Sequence, residues 1–226
     1  MDHTGTSLSR LSQVLLVGAP LLLLAGSPLL VRFDDQDWDS VLTDMAAAPG
    51  RSNLGWSLAL LATALLVPAG IALAGLVRGT RPRTAAVVTV TTALGWVGAG
   101  AICYGGLVMG TMAAAPDREA LVAVLVDLND SASNVAFFMS VLGAVGSIAL
   151  GVALARSRVV PVGAAVLVGL GGAVTLLVMA GPIRLLLVVG ALLLLAGHLW
   201  VVAAVRSASA APAEADHRPA ATHAGR

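Results

Sequence analysis

The chain has 226 residues, 58% of them hydrophobic and 11% charged, against about 25% charged in an ordinary soluble domain. So few charges exclude a water-soluble globular protein, and apolar runs of about 20 residues place the chain among polytopic membrane proteins. One cysteine excludes an internal disulfide and a clustered thiolate metal site, and the formal charge of +1 arises from 13 arginines, with no lysine, against 12 acids.

The first apolar run covers 11–31 and begins after Arg10. Its core is longer than the roughly 7–15 residues of a secretory signal, and no small-x-small site follows before Asp34, so it is expected to stay as the first membrane helix. Pro20 and Pro28 are expected to kink it. An acidic stretch follows, in which Asp34, Asp35, Asp37 and Asp39 are candidate cation or lipid-headgroup ligands. Measured against a calcium loop starting at Asp35, the stretch has Ser40 where glycine is required and Ala46 where the bidentate glutamate belongs. Just beyond, Trp38, Val41, Leu42 and Met45 fall at i, i+3, i+4 and i+7, which predicts a short amphipathic helix opposite Asp37, Asp39, Ser40 and Asp44.

Further runs cover 54–77, with Pro68 inside it, and 85–111, with Cys103 toward its end. Cys103 has no positive charge nearby in sequence to activate it and reads as a small buried residue. Leu121, Val124, Leu125 and Leu128 repeat the amphipathic spacing after the helix-start signal of Pro116, Asp117 and Glu119. About two turns of apolar helix are too short to span. Runs at 134–155, 159–180 and 183–205 complete the set. The tail, rich in Ala, Pro, Ser and His, has no apolar periodicity.

The expected fold is therefore all-α, a polytopic transmembrane bundle of six helices with two short amphipathic interfacial helices on the outer side. The chain divides into a cytoplasmic N-terminus (1–10), a six-helix membrane domain (11–205) and a disordered cytoplasmic tail (206–226).

With six spans the two termini share a side, and so do Arg10, Arg78, Arg81, Arg83, Arg156, Arg158, Arg206, Arg218 and Arg226. That side is cytoplasmic by the positive-inside rule. Its nine arginines against Asp2, Glu214 and Asp216 give it +6, and four arginines against nine acids give the outer side −5. Five or seven spans would scatter the short basic loops over both faces.

Close helix packing in lipid relies on small residues. Gly143, Ser147 and Gly151 stack on one helix face as a candidate packing seam, either internal or between copies, as do Gly106 with Gly110 and Ala165 with Gly169 and Ala173. No Asp, Glu or Lys lies inside a span, which argues against a proton-driven machine. His198 is the one histidine within a span. It reads either as a proton, metal or solute contact or as a ring bonded to a backbone carbonyl or reaching the inner interface beside Trp200. One intramembrane histidine excludes bis-histidine haem. There is no phosphate-binding glycine loop, catalytic triad, zinc motif or basic nucleic-acid surface, so no enzyme activity and no cofactor are expected. The joins at Leu76–Arg83 and Leu154–Pro161 are alike, but only in composition.

Several features resemble an uncharacterised family of bacterial six-helix integral membrane proteins of unknown function. They are Pro49-Gly50-Arg51 at the end of an outer loop, the basic loop from Arg78 to Arg83, the outer segment Asp117 to Leu121, and Leu154 to Pro161 closing the fourth span. The resemblance covers about residues 10–206 and implies the architecture, not an activity. The expected function is a non-enzymatic structural, accessory or sensing role in the inner membrane. Its expected partners are membrane lipids and another membrane protein or a second copy, with no nucleic acid. The alternative is a small transporter or channel for an uncharged or lipophilic solute, using His198 and the hydroxyls of Thr63, Thr92 and Ser140.

Overall fold

The computed structural model describes residues 8–30, 38–179 and 184–215, and among them the chain is helical without strands. In order, α1 is Arg10–Gly26, followed by a 3-10 turn at Ser27–Leu29; α2 is Trp38–Ala47, α3 Pro49–Arg78, α4 Pro82–Met112, α5 Arg118–Ser157, α6 Val162–Met179 and α7 Arg184–Ala215. Six helical segments are long and apolar enough to cross a membrane: Arg10–Leu29, Pro49–Arg78, Pro82–Met112, Val135–Ser157, Val162–Met179 and Leu185–Ser209. They follow the six apolar runs of the sequence.

Local chemistry sets the helix ends. Ser9 caps α1, its side chain accepting from Ser12 N–H at 3.1 Å. Pro49 and Pro82 open α3 and α4, where the missing N–H is not needed. α5 stops where Arg158 enters the left-handed region at φ 53°, and Pro161 precedes α6.

The spans form a closed antiparallel ring. Each packs on the next, α1 on α3, α3 on α4, α4 on α5, α5 on α6 and α6 on α7, and α7 returns to α1. Glycines bring the sequential neighbours together. Gly143 of α5 lies directly against Gly95 of α4. A methyl group at Gly151 would come within 2.9 Å of Gly169 Cα in α6, and one at Gly171 of α6 within 2.5 Å of Leu194 N in α7. Gly106 of α4 receives the indole of Trp56 from α3, and Gly26 packs on the backbone of Gly55. Contact without intervening side chains lets many weak dispersion terms accumulate where lipid offers no hydrophobic drive.

The antiparallel order brings Arg10, Arg78, Arg81, Arg83, Arg156, Arg158 and Arg206 to one end and Asp39, Asp44, Asp117 and Asp127 to the other. Two apolar clusters fill the interior. One, toward the acidic end, includes Leu23, Leu42, Met45, Trp56, Cys103 and Leu176; the other, toward the arginine-rich end, includes Leu16, Leu73, Val77, Val88, Leu154 and Val201. Large exposed apolar side chains such as Leu61, Val97, Val145 and Leu192 lie on the perimeter, as lipid requires.

Three expectations change. The first amphipathic segment forms α2, but its face of Val41, Leu42 and Met45 is buried against the bundle and joins the acidic-end cluster. The second is not a separate helix. α5 runs 40 residues without a break, about 60 Å at 1.5 Å per residue, because no proline or glycine lies between Arg118 and Leu142. The polar residues 129–134 do not interrupt the helical backbone. Leu125 is buried while Val124 is exposed, so the expected apolar face is only partly used. Finally, α7 continues past Arg206 to Ala215. Alanines favour helix, and the Ser207 and Ser209 hydroxyls bond the carbonyls of Ala203 and Val205. Residues 216–226 lie outside the described residues.

Candidate functional site

Pro20 in the middle of α1 has no N–H to give to the carbonyl four residues earlier, which belongs to Leu16. An orphaned carbonyl in an apolar interior costs about 1–3 kcal/mol unless another donor reaches it. His198 of α7 is that donor: its Nδ1 lies 2.8 Å from Leu16 O, with the ring buried. A carbonyl can only accept, so Nδ1 carries the proton, and the neutral ring presents Nε2 as an acceptor. A second tie joins α1 to α7 at Gln13, where Arg206 Nε donates to Gln13 Oε1 at 2.6 Å, and near the end of α1 the Ser27 hydroxyl donates to Leu23 O at 2.6 Å. At the other end of α1, Arg51 Nη2 donates to Pro28 O at 3.2 Å.

His198 also lines a cavity on the ring's axis. Its walls come from five helices: Leu66, Gly70 and Leu73 of α3, Thr92 and Trp96 of α4, Ser147 and Leu150 of α5, Val168 and Gly172 of α6, and Leu194 with His198 of α7. Leu66, Trp96 and Leu194 belong to the acidic-end cluster and Leu73, Leu150 and Val168 to the other, so the cavity marks their junction. Its volume is about 20 Å³. That is room for one water and far below the 300–1,000 Å³ typical of a ligand pocket. Thr92 Oγ1 is buried there with no hydrogen-bond partner among the described residues.

Of the expected site residues, His198 is in this cavity wall and bonds a backbone carbonyl. Thr92 joins it, but Thr63 and Ser140 do not. Their hydroxyls bond the carbonyls of Leu60 at 2.8 Å and Ala136 at 2.9 Å within their own helices. Asp34, Asp35 and Asp37 lie outside the described residues, and Asp39 is on the exposed face of α2. No group of three side chains able to hold a metal ion occurs among the described residues. Gly143, Ser147 and Gly151 lie inside the ring, against Gly95, Gly172 and Gly169. Cys103 is buried.

Trp96, Gly70 and Gly172, which share the cavity wall with His198, carry no sequence signal that places them there. Leu16 does carry one: a proline inside a helix, here Pro20, leaves the carbonyl four residues back in need of another donor. No protein-family model matches the chain, no curated protein matches it in sequence, and no solved structure matches it in fold.

Proposed function

We propose that this chain is a non-enzymatic integral protein of the bacterial inner membrane with a structural, accessory or sensing role beside a membrane partner. Both termini are cytoplasmic in this reading, and α2 with the first turns of α5 lies on the periplasmic side, packed on the bundle and not lying free in the interface. The resemblance to bacterial six-helix membrane proteins belongs to the same proposal, and membrane lipids and another membrane protein or a second copy are its partners. The observation that carries the functional reading is the filled axis: five helices converge on a space the size of one water, where a solute path would need a far larger opening. The orientation is supported by the arginines gathered at one end of the ring.

Cross-linking in native membranes tests the role, with a single membrane protein recovered in fixed proportion as the expected result. The transport alternative has one observation in its favour, the presence of His198 and Thr92 together on the axis. Solute flux in proteoliposomes that His198→Ala abolishes would establish transport and overturn the accessory role. A reporter fused after Arg226 is expected to be active only in its cytoplasmic form, and periplasmic activity would reverse the orientation.

A further inference from the structure

We propose that the axial cavity is a binding site for one water molecule, held by His198 Nε2 and the hydroxyls of Ser147 and Thr92. Three observations converge on it. The volume of about 20 Å³ exceeds the roughly 10–15 Å³ that one water needs by the same measure. The walls are partly polar, and polar cavities of this size hold water whereas dry ones are lined by apolar groups alone. The chemistry of the three groups is also complementary to water. With Nδ1 committed to Leu16 O, Nε2 can only accept, so the water donates a proton to it. The water's lone pairs accept from the Thr92 hydroxyl, which is buried without a partner among the described residues, and its second proton is available to Ser147 Oγ.

Two glycines keep the space open. A methyl group on Gly172 would stand 2.7 Å from Ser147 Oγ, and one on Gly70 would stand 3.2 Å from Thr92 Cγ2. The water completes a polar chain from the Leu16 carbonyl through His198 to Thr92 and Ser147, joining α1 and α7 to α4 and α5 where the two apolar clusters meet. This inference rests on the cavity and not on any assigned role for the protein.

X-ray radiolytic labelling of the intact protein in lipid nanodiscs tests it, because hydroxyl radicals made from a bound water oxidise the side chains beside it. Trp96 lines the cavity and Trp56 does not, while both are buried, at 3% and 4% exposure. Trp96 is expected to label several-fold faster than Trp56, and Gly172→Ala, which fills the space, is expected to bring the two rates together. Should that variant not fold, the near-isosteric Thr92→Val removes one partner and is expected to lower the Trp96 rate. Equal rates in the native protein would overturn the site, as would a fast Trp96 rate that neither variant alters.

Discussion

The contact between α4 and α5 and the contact between α7 and α1 close the same ring by different physics. At the first, Gly95 and Gly143 place backbone against backbone, with Gly98 against Met139 and Gly146 against Thr91 extending the seam. At the second, no glycine of α1 takes part along the helix: Gly18 has nothing within 4 Å of where a side chain would begin. Directed hydrogen bonds join these two helices instead, from His198 to Leu16 and from Arg206 to Gln13. Shape complementarity serves helices adjacent in sequence, which short connections already hold together. The first and last spans have no such connection, and a hydrogen bond to a proline-freed carbonyl fixes their register as well as their proximity.

The largest test of this contrast places one substitution at two sites. Gly143→Ala is expected to cost about 3 kcal/mol, because neither backbone at the seam can yield. Gly18→Ala is expected to stabilise by up to about 1 kcal/mol through helix propensity. Denaturant unfolding in detergent, followed by tryptophan fluorescence, measures both, and equal effects would erase the distinction between the interfaces.

Next comes the polar closure. His198→Ala is expected to cost about 2 kcal/mol, since it strands the Leu16 carbonyl. In a Pro20→Ala background that carbonyl regains its helical N–H, and the cost should fall by about 1 kcal/mol. The same unfolding assay completes this double-mutant cycle, and a cost unchanged by Pro20→Ala would show that His198 does not act through the orphaned carbonyl. The smallest effect is expected from Arg206→Ala, less than about 1 kcal/mol, because its bond to Gln13 is exposed to competing water.

Much of the fold was legible because lipid imposes simple demands. A span must be apolar for about 20 residues, and arginines favour the cytoplasmic side, so composition along the chain locates the helices. The α5 helix shows where that logic stops. The change at Asn129 to Asn134 from apolar to polar residues reads as the end of an apolar run, yet the helix continues through it, because no proline or glycine is there to break the backbone. The packing stripe Gly143, Ser147, Gly151 was visible from its four-residue spacing, but spacing shows which face is smooth and not which helix meets it. His198 was visible as the lone histidine in a span. Its partner, 182 positions away, was not.

Sequence by itself determined the number, order and approximate positions of the apolar spans, because hydropathy acts within a few residues. Tertiary structure alone decided that the glycine stripe faces inward, that α2 joins the core and that His198 meets Leu16 beside a water-sized cavity. Those outcomes depend on which surfaces come together when the ring closes, and distances between remote residues are set by the packing of all six spans at once.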